Sequence, residues 1–419
     1  MVSDFERSNI PKAPKKVLYL SYTGMLEPLG RSQVLTYLSR LSSHYEFTLV
    51  SFEKPADLSN REAVAKLRSE CEGLRINWVP KVYHKRPRML STVWDLFVLL
   101  CQTFTRSFDR ETELVHCRGY IPAIAAWLSG KVTRKPFVFD MRALWPDEMV
   151  TAGRLRRESF TYSALMWVER RLLWRAARVV SLTQAAVDYL LKVYPEVPAS
   201  KFEVITTCVD IDRFQIPPHS LRMRGQDRQP LVVGTMGTLL SGWFYLDVFF
   251  RFFLAVKEIR PGATVKVITL DNHAEIIRVA ESVGVDSSEL RLTSAQPEDM
   301  PAALAKMDLG VMFYAPDIGR APTRLGEFLA VGVPVVGNTG VGDLGRLIEA
   351  YRVGVVVDDV WDSSALAAAA SEMLENYDEI LASGACRYAA EDYFSADSGA
   401  DKYRKIYRSS IINGSLSDS

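Results

Sequence analysis

Residues 322–338 read Pro-Thr-Arg-Leu-Gly-Glu-Phe-Leu-Ala-Val-Gly-Val-Pro-Val-Val-Gly-Asn. The spacing predicts a short helix, a glycine stop and a buried strand. Leu325, Phe328 and Leu329 share one helical face, which must pack inward. Gly332 stands where a helix ends, and Pro334 prevents it from continuing. Val333, Val335 and Val336 form a run short and apolar enough for a central parallel strand. Arg324 and Glu327 remain near the front of the helix. A helix N-terminus offers unpaired N–H groups and a positive dipole end to an anion. Arg324 adds a rigid cationic fork, and Glu327 an acceptor for sugar hydroxyls. Arg324 and Glu327 could equally form an i,i+3 surface ion pair.

Outward from this stretch, strand-like and helical runs alternate. Strands are predicted over 17–21, 47–51, 114–117, 137–140, 179–182 and 202–206, and helices over 31–43, 61–71, 90–107, 160–177 and 185–193. A polar, proline-containing linker over 215–229 interrupts the pattern. Strands then recur over 231–234, 265–270, 290–293, 309–313, 333–336 and 353–357, and helices over 244–259, 274–283, 300–307, 324–331, 344–350 and 364–377. This predicts an α/β protein of two Rossmann-like domains facing across a cleft, 1–214 and 230–393. The tail over 394–409 is amphipathic. Open α/β sheets bind ligands beyond the carboxyl ends of their strands, so two such edges offer a donor site and an acceptor site.

Composition sets limits. A chain of 419 residues fits two cores of about 200 residues each. Net charge of +1 argues against a dedicated nucleic-acid binder. Five cysteines without a Cys-x-x-Cys pair imply a reducing compartment and no zinc site. The N-terminus is polar, so no secretory signal is expected, and the Asn413-Gly-Ser415 acceptor motif then carries little meaning. No apolar run reaches the ~20 residues that span a bilayer. The nearest, 93–104, is interrupted by Asp95 and follows Lys85-Arg86-Pro87-Arg88. It reads either as a peripheral membrane contact or as a buried helix beside a solvated basic loop. The expected location is cytoplasmic, with a peripheral contact at the inner face of a membrane under the first of these two readings.

Further motifs have two readings each. Gly24-Met-Leu-Glu-Pro-Leu-Gly30-Arg31 superficially resembles a phosphate loop but has one residue too many between its glycines and Arg in place of Lys. Gly30 either lets a ligand approach the backbone or serves a tight turn. Gly340-Val-Gly342-Asp-Leu-Gly345, with Asp358 and Asp359 beyond it, matches a dinucleotide fingerprint but lies late in its domain. Asp210-Ile-Asp212 looks like a metal motif but fits a capping role better. His116 ends a predicted strand beside Arg118 and Tyr120, and the next strand delivers Asp140, Arg142, Trp145 and Glu148 to the same rim. Such a group suits a sugar.

The 322–338 block resembles the donor-binding segment of retaining glycosyltransferases of the GT-B fold, in particular the large family-four group. The resemblance takes in 24–34, 115–120, 137–148, 179–183, 202–214 and 394–407 in family order. It implies the GT-B architecture, with a C-terminal helix (394–412) that packs back on the first domain. It also implies transfer of a sugar from a nucleotide-diphosphate-sugar donor to a hydroxyl acceptor, with retention and without a metal or cofactor. Arg324 would stabilise the departing diphosphate, aided by Thr323, Gly237, Thr238 and Gly30, while Glu327 would hold the ribose. His116 would contact the transferred sugar or the acceptor. Arg118, Arg142 and Trp145 would shape the acceptor side, with Asp140 or Glu148 a candidate base. The chain departs from the family twice. Gly319 stands where the family often has a glutamate, eight positions before Glu327. The loop 234–245 lacks the family's Arg and Lys. A nucleotide-sugar epimerase, a phosphorylase on the same fold, or a non-catalytic nucleotide-sugar-binding partner remain alternatives.

Overall fold

The computed structural model describes residues 14–84, 87–215 and 230–416. The polar segment 1–13, the basic pair Lys85 and Arg86, residues 216–229 of the linker, residues 417–419, and the side chains of Arg88, Met89 and residues 413–416 lie outside what is described.

The chain groups into two compact units. One comprises Met1–Met141, Leu155–Val180 and Lys402–Ser419; the other comprises Arg142–Arg154 and Ser181–Asp401.

The first sheet has seven strands: β1 (Lys15–Ser21), β2 (Tyr45–Glu53), β3 (Ile76–Val82), β4 (Thr112–Arg118), β5 (Phe137–Asp140), β6 (Arg178–Ser181) and β7 (Phe202–Val204). Their order is β3-β2-β1-β4-β5-β6-β7. The second sheet has six strands: β8 (Val232–Met236), β9 (Thr264–Ile268), β10 (Leu290–Thr293), β11 (Leu309–Met312), β12 (Val335–Asn338) and β13 (Gly354–Val357), in the order β10-β9-β8-β11-β12-β13. Both follow the doubly wound pattern in which the chain reverses direction between two central strands. That reversal falls between β1 and β4 in the first sheet and between β8 and β11 in the second. The strands are apolar runs because helices cover both faces of a parallel sheet; Val17, Leu18 and Leu20 are all at most 1% exposed.

The 322–338 stretch forms a helix, Thr323–Ala330, and then β12. Gly332 has φ +69°, the left-handed conformation that ends the helix. Gly326 is glycine because a Cβ there would meet Val209 Cγ2 at 2.8 Å. Phe328 lies over Gly310 of β11, where a Cβ would meet its ring at 2.8 Å.

Strand β3 and the helix Tyr120–Thr133 are among the elements additional to the sequence expectation. Strand β3 contains Asn77, Pro80 and Lys81, which mask its pattern. It is the edge strand, where a proline costs no ladder bond. The helix Tyr120–Thr133 is apolar on most sides because it is flanked by the helices Arg88–Ser107 and Phe160–Arg175, so it shows little 3.6-residue contrast. The expected tail helix is Ala396–Leu416, and a further helix, Ala385–Tyr393, stands before it.

Candidate functional site

The second unit concentrates its unusual chemistry at the β8–β11 reversal. After β8 the chain turns at Gly237, φ +87°, and exposes Thr238. After β11 it passes Tyr314 and runs through Asp317 and Arg320 to Arg324. The segments meet through backbone bonds from Tyr245 N to Phe313 O (3.0 Å) and from Ala315 N to Trp243 O (2.9 Å).

Two guanidinium groups share this corner. Arg324 is 8% exposed, donates from Nη2 to the Thr238 carbonyl at 2.7 Å, and lies 5.1 Å over Phe244 and 5.4 Å over Tyr314. Arg320 lies 4.6 Å over Trp243 and 5.8 Å over the same Tyr314 ring, and pairs with Asp317 at 3.1 Å. The loop that lacks Arg and Lys therefore supplies aromatic faces on which two arginines from the following segment rest. Among the described residues, Arg324 Nη1 and Arg320 Nε are buried without a hydrogen-bond partner. Buried N–H groups are rarely left so, which makes these two donors candidates for a ligand's oxygens. The helix Thr323–Ala330 begins at Pro322 with no side-chain cap, so its first N–H groups are also open to an anion. Gly237 suits glycine because its φ of +87° strains any other residue, and a Cβ there would press on Arg324 Nη2 at 2.9 Å.

Arg324 is buried against Phe244 and Tyr314 and donates to the Thr238 carbonyl, which sets aside the surface-pair reading. Glu327 is partly buried, and burial pushes its pKa up to about 7 against the pull of Arg213 and Arg324. Thr323 stands at the first helical position, partly exposed. The structure thus brings Arg324, Thr323, Gly237 and Thr238 together and adds Arg320, Trp243 and Tyr314, which sequence reasoning missed. The signal available for them was a loop with aromatics where cations were expected.

Glu148 belongs to this unit as well. It lies on the short helix Trp145–Thr151, and its pKa is raised by burial and by the nearby Asp317 carboxylate, with Arg320 opposing. Gly319 donates its N–H to Asp317 Oδ1 at 3.0 Å, and a Cβ at 319 would come within 3.3 Å of the Leu144 backbone. A glutamate at 319 has little room, while Asp317 and Glu148 bring carboxylates to the same neighbourhood. Arg142 and Trp145 precede and open that helix, and Arg142 has φ +58°, uncommon for a side chain of its size.

In the first unit, the expectation that His116 and Asp140 line an open rim is corrected. Both are 1% exposed. The His116 ring stacks on Tyr19 at 4.2 Å, and its Nδ1 shares a 2.8 Å hydrogen bond with Tyr407 Oη. Its Nε2 lies 3.5 Å from Asp140 Oδ2, which also accepts from Tyr403 Oη at 3.1 Å. Tyr403 and Tyr407, on the helix Ala396–Leu416, close over the end of β4. Arg118 is 7% exposed, 3.8 Å from Asp140. Gly30 is explained by packing, because a Cβ there would meet the Gly24 carbonyl at 2.0 Å.

Two other motifs are accounted for locally. In Gly340–Gly345, a Cβ at Gly342 would strike the Arg320 carbonyl at 2.1 Å, and Asp343 accepts from Gln184 N at 2.7 Å and Ala185 N at 3.1 Å. That carboxylate caps a helix, and the glycine lets two loops meet. Asp210 accepts from Arg213 N at 3.4 Å, a local turn contact.

Residues 32–213 match the family model described as Glycosyltransferase Family 4. No curated protein matches the chain. Among solved structures, Anabaena Alr3699/HepE in complex with UDP and glucose is similar at a TM-score of 0.68 and 17% identity, covering 94% of this chain and 100% of that one. A glycosyltransferase from Rickettsia africae ESF-5 is similar at a TM-score of 0.69 and 14% identity, over 96% of this chain and 99% of that one. Sucrose-phosphate synthase from Thermosynechococcus elongatus reaches 0.68 at 13% identity, over 94% and 98%. The fold is GT-B.

Proposed function

We propose that this GT-B chain, family-four-like over residues 32–213, is a glycosyltransferase that moves a sugar from a nucleotide-diphosphate-sugar to a hydroxyl acceptor, with retention and without a metal. The observation that carries the reading is the pair of buried, unpartnered guanidinium donors beside an uncapped helix N-terminus.

The demanding step is departure of the diphosphate, which gathers negative charge as the glycosidic bond stretches. Fixed positive groups lower that barrier because they need no reorganisation at the moment of reaction. Arg324 and Arg320 supply two cations held on aromatic faces, and the N–H groups at Thr323 and Arg324 supply the dipole end. Glu327 accepts the ribose hydroxyls. Asp317 and Glu148 accept hydroxyls of the transferred sugar, the work of the carboxylate missing at Gly319. No carboxylate is assigned as nucleophile. The departing phosphate oxygen takes the acceptor proton on the face it leaves. His116 and Asp140 support the first unit from within.

Incubation with a panel of nucleotide sugars, with and without hydroxyl acceptors, tests the reading. Acceptor-dependent nucleotide release is expected; conversion of the nucleotide sugar alone, or binding without turnover, would replace it with an epimerase or a binding partner. Arg320→Ala should lower kcat/KM about 10- to 100-fold, with a smaller effect than loss of Arg324, because Asp317 already neutralises part of its charge. An unchanged kcat/KM would assign Arg320 to packing alone.

Glu327 gives a pH test. Its carboxyl holds a proton up to about 7, whereas an unfolded glutamate releases it near 4.5. Its contribution to stability is therefore full below about 4.5 and is lost as pH rises through about 7. Ribose binding has the opposite sign, because only the ionised carboxylate accepts from both hydroxyls. Nucleotide affinity should rise across about pH 7, and Glu327→Gln should abolish that rise. A variant with the wild-type pH profile would remove Glu327 from the ribose.

A further inference from the structure

Three helices of the first unit lie side by side, Arg88–Ser107, Tyr120–Thr133 and Phe160–Arg175. The first is turned inside out for a water-facing helix. It buries Ser91, Asp95, Thr103 and Ser107, with Asp95 at 0% exposure accepting from Tyr22 Oη, His84 N and His84 Nδ1. Its outward stripe is Leu90, Val93, Trp94, Phe97, Phe104 and, just past its end, Phe108. Leu90 is 70% exposed and Trp94 and Phe97 are each 54% exposed. These positions recur at helical spacing, so one continuous apolar face meets solvent.

The helix Phe160–Arg175 repeats the theme at seven-residue intervals, with Phe160, Trp167 and Trp174 exposed. Trp167 meets Trp127 edge-on at 5.9 Å. Arg171 lies 5.3 Å over Trp167, and Lys131 lies 5.0 Å over Trp127. The charge on these helices has one sign. Their only acids are Asp95 and Glu169, at 0% and 2% exposure. Lys131, Arg170, Arg171 and Arg175 are exposed. The acids Asp109 and Glu158 lie beyond the helix ends.

We infer that this three-helix face docks on an anionic lipid bilayer, with the Trp94–Phe97 stripe immersed at the level of the headgroups and the cations of the neighbouring helices on lipid phosphates. The chemistry is that of an interfacial helix, an apolar strip beside tryptophans with cationic flanks. A second copy is a poorer occupant, since two faces of the same positive sign repel on contact. No helix among the described residues is long and apolar enough to cross a membrane, so the face lies on the bilayer rather than in it.

Sedimentation of the full chain with vesicles tests this. Vesicles of equal phosphatidylglycerol and phosphatidylcholine should carry the protein down, and pure phosphatidylcholine should carry much less. Added salt should reduce binding to the anionic vesicles. A Trp94→Glu, Phe97→Glu double variant should lower the bound fraction about tenfold or more, and Arg171→Glu with Arg175→Glu should do so on anionic vesicles only. Retained nucleotide binding and an unchanged circular dichroism spectrum show that each variant is folded. Wild-type protein left in the supernatant, or equal binding by wild type and the Trp94/Phe97 variant, overturns the inference. A self-association that the same double variant abolishes, without vesicle binding, assigns the face to a second copy instead.

Discussion

Arg324→Ala is expected to lower turnover by about two to three orders of magnitude, the loss typical of removing a fixed donor from developing charge. Arg324 is poised to act in the transition state more than in the ground state. Its guanidinium is already pinned by the Thr238 carbonyl and two aromatic rings, and its Nη1 stands unpartnered. The variant should therefore show the deficit in kcat and kcat/KM together. Folding should suffer far less, by about 2 kcal/mol, because two cation–aromatic contacts and one hydrogen bond to a carbonyl are lost. Arg324→Lys should recover little, since an ammonium cannot reproduce the planar fork. Steady-state kinetics with a thermal melt in parallel separates the two quantities. Turnover that survives Arg324→Ala would end the proposed mechanism.

Glu53→Ala is expected to cost at least about 3 kcal/mol of stability in the first unit, because it strands buried donors. Glu53 is 0% exposed at the end of β2. Its Oε1 accepts from Met25 N at 2.8 Å and Ser51 Oγ at 2.5 Å, and its Oε2 accepts from Leu26 N at 3.1 Å. Ser51 Oγ in turn accepts from Trp78 Nε1 at 2.9 Å. Alanine would leave the buried Met25 N–H and the part-buried Leu26 N–H without their acceptor and free the turn at Gly24, which packs against the Glu53 carboxylate. Glu53→Gln should fall between, since its amide nitrogen would face a donor. The midpoint of thermal unfolding measures this; a midpoint within a degree of wild type would show that the turn finds other partners.

The 322–338 stretch disclosed its helix, stop and strand because every local signal agreed: apolar spacing, Gly332 at positive φ, and a valine run covered on both faces. Strand β3 was hidden by Pro80 and Lys81, residues an edge tolerates and a pattern does not forgive. The place of Arg324 against Gly237 and Thr238 followed from the order of strands around the β8–β11 reversal. Arg320 was hidden because its partners, Trp243 and Tyr314, lie in different loops and no spacing rule connects them. His116 was misjudged for a similar reason. A strand end implies an open edge, but the two tyrosines that seal it lie in a helix at the far end of the sequence.

That helix also bears on the order in which the molecule is made. Tyr403 and Tyr407 are joined to the growing polypeptide only after the entire second unit, yet they complete the interior of the first. While the second unit is still being translated, Tyr19 and His116 lack their lid. The first unit must wait, unfinished, for the helix that carries these two tyrosines, and chaperones have an interval in which to hold it.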